Sequence, residues 1–116
     1  MLDDVFCKIV AGEIKPEKVD EGDNWVAIKD IHPVAAVHVL IVPKRHGSIQ
    51  DYTNEESGYL GELMTATNRV ARKLGLDKTG YRLIINYGED SQGHVLDHLH
   101  IHLLGGQKLG SKIIKG

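Results

Sequence analysis

HVLDHLHIHLLGG, residues 94–106, holds four of the chain's seven histidines. His98, His100 and His102 alternate with Leu99, Ile101 and Leu103, the period of a β-strand. Residues two apart on a strand share a face, their α-carbons separated by roughly 6.5–7 Å. The spacing therefore predicts leucine and isoleucine packed inward and three imidazoles along the opposite surface. Any polar side chain would solvate that surface, so three histidines call for a chemical reason. One reading is a metal site, with neutral imidazoles converging on zinc and His46 or Cys7 as a further ligand. The other is nucleophilic catalysis at phosphorus, in which one ring nitrogen keeps its proton and the other presents a lone pair.

Working outward, AVHVLIVPK (36–44) is apolar on both faces and reads as a central strand, ended by Pro43, which cannot donate to a ladder. Upstream, residues 25–30 and 16–21 read as shorter strands. DVFCKIVA (4–11) reads as a short helix with Val5, Phe6, Ile9 and Val10 on its apolar side and Gly12 as its stop. Downstream, Thr53 and Glu56 form a capping-box signature. Leu60, Leu63, Met64, Thr67, Val70, Ala71 and Leu74 then recur at helical spacing, and Gly75 closes the run. YRLIINY (81–87) is a further strand, GEDSQG a loop, and LDHLHIHLL the last strand. The tail is irregular until Lys112–Lys115. The order is short helix, three strands, long helix, two strands. It predicts an α+β fold: a five-stranded antiparallel sheet with one face covered by the long helix.

The 116 residues form one domain, 1–116, with a core from about 4 to 106 and a tail over 107–116. A formal charge of −2, from 16 acidic and 14 basic residues, offers no field for nucleic acid or for a membrane surface. The single cysteine cannot close an internal disulfide, and acids stand near the N-terminus where a signal peptide needs basic residues. A cytoplasmic location is expected.

His98-Leu99-His100-Ile101-His102-Leu103-Leu104 resembles the His-φ-His-φ-His-φ-φ signature of the histidine triad family, φ being apolar. FCKIVAGEI, Asp30-Ile31 with Pro33, HVLIVPKRH, Asn86 and the trailing LLGG resemble, in order, the nucleotide-binding, phosphoramidase branch. The resemblance implies hydrolysis of the P–N bond of purine nucleoside 5′-phosphoramidates, AMP-like or GMP-like, through a nucleotidyl-histidine intermediate. His100 would be the nucleophile and His102 the contact to phosphate or leaving group. His98 and His46 would form a relay that orients His100. Asp30 would hold the ribose hydroxyls, with Phe6, Ile9, Ile28 and Ile31 forming an apolar slot for the base and Asn86 on the phosphate side. It implies no cofactor, and a two-fold homodimer. The alternatives are a nucleotide-binding module with weak or no turnover, and a dinucleoside polyphosphate hydrolase, against which the short length and LLGG weigh.

Two departures stand out. The family's Gly-Gln-Ser/Glu-φ-aromatic segment is here Gly93-His94-Val95-Leu96-Asp97, so Gly93, His94 and Val95 fall where phosphate contacts are expected, in a loop one residue longer than usual. Some bacterial relatives bind structural zinc through a Cys-x-x-Cys pair; here Asp4 occupies the first position and only Cys7 remains. No tight metal site is expected, and Cys7 is expected to be a small buried apolar residue.

Overall fold

A computed structural model describes residues 4–91 and 97–111. Helix α1 (Val5–Val10) begins at Asp4, whose carboxylate accepts from the Cys7 N–H at 2.8 Å. Strands β1 (Lys18–Glu21), β2 (Trp25–Lys29) and β3 (Val37–Pro43) follow, then the long helix α2 (Ser57–Lys73) and a four-residue turn of helix α3 (Leu76–Thr79). Strands β4 (Tyr81–Ile84) and β5 (Ile101–Gly105) complete an antiparallel sheet in the order β1-β2-β3-β5-β4. The near-apolar strand is the central one, as its composition predicts. Among the described residues no helix is long and apolar enough to cross a membrane.

Alternation distributes the core over both faces of the sheet. Trp25, Ala27, Val39, Ile41, Ile101 and Leu103 pack with Leu63, Ala66, Val70 and Ala71 of α2. Burying a Leu or Val side chain of this kind contributes roughly 1.5–3 kcal/mol. Val26, Ile28, Leu40 and Val42 point the other way and pack with Phe6 and Ile9 of α1. The capping box forms at Thr53 and Glu56, on a 3-10 turn that leads into α2. Gly105 and Gly106 have separate reasons. A Cβ on Gly105 would sit 2.9 Å from Leu76 Cδ2 and 3.3 Å from the Gly80 carbonyl, whereas Gly106 turns the chain at φ +77°.

Several expectations need correction. Val5 and Val10 are exposed, because α1 turns only Phe6 fully inward. Strand β4 stops at Ile84, three residues short of Tyr87, and the helical turn α3 escaped notice because four residues carry too little periodicity. Strand β5 begins at Ile101, so His98 and His100 precede the ladder. Pro43 is the reason: the β3–β5 register continues from Ile41↔Ile101 to the proline, which has no N–H to give. Leu99 instead donates its N–H to the Gly47 carbonyl at 2.7 Å, and His98 bridges Gly47 in parallel. The expected tail segment Lys112–Lys115 lies outside the described residues.

Candidate active site

The histidines share the α1 face, yet they do not form a solvated row. His98 and His100 are buried at 1% and 7% exposure, and His102 is partly buried. Leu99, Ile101 and Leu103 are buried on the α2 side, as expected. Phe6 covers the first two rings, its centroid 5.4 Å from that of His98 and 4.9 Å from that of His100.

His100 Nδ1 lies 2.9 Å from the backbone carbonyl of His98. A carbonyl only accepts, so Nδ1 carries the proton and the neutral ring holds its lone pair on Nε2. This is the tautomer nucleophilic attack requires. It is set by the backbone of His98, whose own ring turns elsewhere.

That ring enters a second group. His98 Nε2 donates to the Pro43 carbonyl at 2.8 Å, which leaves Nδ1 facing Asp4 at 3.2 Å and Cys7 Sγ at 3.6 Å. His46 Nδ1 lies 2.9 Å from Asp4 and 3.3 Å from Cys7 Sγ. His46 and His98 thus come together edge to face around Asp4 and Cys7. Cys7 is half-buried among polar partners, which replaces the expectation of a buried apolar residue. Burial works to raise the Asp4 carboxyl's pKa, but the Cys7 N–H and the neighbouring His98 and His46 rings outweigh it and hold it below the usual range.

The ligand atoms of Asp4, Cys7, His46 and His98 all lie within 4.8 Å of one another. Zinc bonds of about 2.0–2.3 Å would give a tetrahedron with edges of about 3.3–3.7 Å, near the separations seen. His98 also anchors its far nitrogen on a carbonyl, as metal-bound histidines do. One oxygen, one sulfur and two nitrogens therefore suit such an ion. An ion there would tie α1 to the chain after β3 and before β5.

On the other side of His100 the rings of His100 and His102 meet edge to face at 5.1 Å. His38, opposite Leu104 and diagonal to His102 across β3 and β5, places Nε2 2.9 Å from His102 Nδ1 and 3.3 Å from Asp30 Oδ2. Its Nδ1 faces the Val34 N–H at 3.2 Å. Burial lowers the pKa of His38 despite nearby Asp30. Burial, then the His100 and His38 rings, push His102 down to about 4. Asp30 accepts the His32 N–H as well, at 2.8 Å.

Of the residues expected around a base, Phe6 and Ile28 are buried, Ile9 packs partly against them, and Ile31 stands 85% exposed. An apolar residue that exposed has no role in core packing. Asn86 is partly buried just beyond β4. Gly93, His94 and Val95 lie outside the described residues. Sequence reasoning assigned no role to His38 and left Asp4 out of the site. The signal for His38 was a lone polar residue in an otherwise apolar central strand. Asp4 announced only a missing cysteine.

Comparison with known proteins shows the family. Residues 11–109 match the family described as HIT domain. A HIT-like protein of Chlamydia pneumoniae is 43% identical over 108 residues, covering 92% of this chain and 96% of its own. A solved HIT family hydrolase from Clostridium thermocellum superposes with a TM-score of 0.90 at 42% identity, covering 98% of this chain and 99% of that one. A histidine triad nucleotide-binding protein from Candida albicans gives 0.78 at 30% identity, over 98% and 86%.

Proposed function

We propose, from the premise that this chain belongs to the HIT domain family, that it is a hydrolase of purine nucleoside 5′-phosphoramidates acting through a nucleotidyl-histidine intermediate. The observation that carries the reading is the buried His100 ring with Nδ1 locked on the His98 carbonyl, which directs the lone pair to Nε2. That nitrogen attacks phosphorus. The P–N bond breaks with its electron pair passing to the amine, which takes up a proton. Water then adds to phosphorus, releases a proton and displaces the imidazole, so the sum is phosphoramidate plus water to nucleoside monophosphate plus amine.

The surroundings support the same reading. Transfer at phosphorus depends chiefly on positioning and on donors to the non-bridging oxygens, a role for His102. Asp30 offers a carboxylate to ribose hydroxyls. Ile31, exposed, together with Phe6, Ile9 and Ile28 provides apolar surface for a base. Asn86, Gly93, His94 and Val95 belong to the phosphate side by resemblance. The Candida albicans relative is named as nucleotide-binding and the Clostridium thermocellum one as a hydrolase, in keeping with this assignment.

The test is turnover of an adenosine 5′-phosphoramidate by the wild-type chain and by His100→Ala. Turnover in the wild type and a loss of at least about a thousandfold in the variant, at unchanged circular dichroism, is expected. Equal rates would exclude the nucleophile. Binding of AMP by calorimetry with no turnover on several phosphoramidates would select a binding module instead.

A further inference from the structure

The loop between β2 and β3 carries Ile31, whose side chain is 85% exposed, and it has no strand or helix of its own. Core packing cannot fix so exposed a side chain; only the loop's backbone can. That backbone is pegged at alternate residues. The His32 N–H donates to Asp30 Oδ1 at 2.8 Å, the Val34 N–H to His38 Nδ1 at 3.2 Å and the Ala36 N–H to Gln107 Oε1 at 2.6 Å. Pro33, between the first two, has no N–H to hold. The first two acceptors belong to the site itself. The third arrives from beyond β5, 71 residues along the chain.

Gln107 reaches the loop for a local reason. The ladder between β3 and β5 ends at Val37↔Gly105, and Gly106, at φ +77°, turns the chain out of it. The Ala36 N–H, next in line, is left without a strand partner. Gly106 also sits tight against the loop: a Cβ on it would lie 2.9 Å from Val37 Cγ2 and 3.3 Å from Ala36 Cβ. That close approach lets the next side chain fold back onto residue 36. A backbone N–H can only donate, so the amide of Gln107 must present its oxygen.

We propose that Gln107 is a positioning residue for nucleoside recognition: its side-chain oxygen latches Ala36 and so holds loop 31–36, with Ile31 on it, in the shape that receives a base. The inference rests on the nucleotide reading for its use, but the latch itself can be observed without ligand. Its logic is pre-organisation. A loop free to sample other shapes binds more weakly, in proportion to the fraction of time it spends in the right one. On the proposed reading Ile31 and Asp30 meet the nucleoside, which is the same in ground state and transition state. The latch therefore governs binding and leaves the chemical step to His100 and His102. Ala36 and Gln107 are both exposed, so breaking their bond costs the fold little stability.

The experiment pairs amide hydrogen exchange at Ala36 with calorimetry of AMP, on wild-type protein and on Gln107→Leu and Gln107→Glu. Leucine keeps the bulk and loses the acceptor; glutamate keeps an acceptor of the same reach. The Ala36 amide should be protected in the wild type, exchange at least about tenfold faster in Gln107→Leu and be protected again in Gln107→Glu. AMP affinity should fall by about threefold to tenfold in Gln107→Leu, the scale of one hydrogen bond, and return in Gln107→Glu. On an adenosine phosphoramidate KM should rise by a similar factor with kcat little changed. Unchanged AMP affinity in Gln107→Leu, no recovery in Gln107→Glu, or an Ala36 amide that exchanges freely in the wild type would overturn the proposal. So would a loss of protection throughout β3 and β5 in the leucine variant, which would mark a structural role alone. A wild-type chain that binds no AMP would count against the nucleotide reading, and Ala36 exchange across the three proteins would still decide whether the latch exists.

Discussion

His98 and His100 are two residues apart and both buried beneath Phe6, yet they belong to different chemistries. His98 gives its Nε2 proton to the Pro43 carbonyl and turns Nδ1 toward Asp4, Cys7 and His46. His100 gives its Nδ1 proton to the carbonyl of His98 and keeps its lone pair on Nε2. One ring builds a cluster that joins α1 to the sheet; the other is the nucleophile of the reaction we propose. The difference teaches that a shared strand face does not assign a shared role. The nearest carbonyl decides which nitrogen is reactive, and the two rings are served by different carbonyls.

The sharpest break in this comparison is to delete each ring in turn. His100→Ala should cost at least about a thousandfold in turnover with little loss of stability. His98→Ala should do the reverse in character, lowering stability by about 3 kcal/mol in a denaturant titration, because it empties a fully buried ring site, leaves the Pro43 carbonyl without its donor and takes from Asp4 one of its two histidines. If His98→Ala melts as the wild type does, the division of labour is wrong. Zinc probes the ligand-like half by itself. In saturating excess it should raise the wild-type melting temperature by about 5 °C, and that of Cys7→Ala by much less. Equal melting with and without zinc would leave the cluster held by hydrogen bonds alone.

Acid tests the catalytic half. Burial holds the folded-state pKa of His102 at about 4, below the ordinary 6.5, and lowers that of His38 also. The unfolded chain therefore binds protons in this window that the folded chain does not. Their contribution is complete above pH 6.5 and is lost as pH falls toward 4. Melting temperature should drop between those values, and His102→Gln should flatten the drop; a slope untouched by that variant would place the acid sensitivity elsewhere. The smallest effect is expected far from either cluster. Tyr52 has a buried hydroxyl without a hydrogen-bond partner among the described residues, and Arg45 stacks over its ring at 4.8 Å. Tyr52→Phe should be neutral or stabilise by up to about 1 kcal/mol, measured in the same titration.

Much of the fold was legible because its signals are local and periodic. The apolar run from Val37 to Val42 could only be central, and Thr53 and Glu56 announced the long helix, whereas the pairing of β3 with β5 rather than β4 is visible only in the fold. What local reading missed depends on contacts between distant residues. Pro43 was correctly taken as the end of β3, but its effect on the partner strand, which starts at Ile101 and frees His98 and His100 from the ladder, is a cross-strand consequence. Asp4 looked like the loss of a ligand because its thiolate counterpart was absent. In space its carboxylate caps α1 and meets two histidines from 42 and 94 residues away.

By itself, then, the sequence determined the α+β architecture, the centrality of β3 and the identity of the triad, since hydrophobic period and turn chemistry are properties of neighbouring residues. Only the tertiary structure decided which nitrogen of each ring carries its proton, that His38 joins His102, and that Asp4, Cys7, His46 and His98 form one group. A ring's tautomer is set by whichever donor or acceptor lies within 3 Å or so of it, and folding brings those groups from Pro43, His98 and Val34, positions that no periodicity connects.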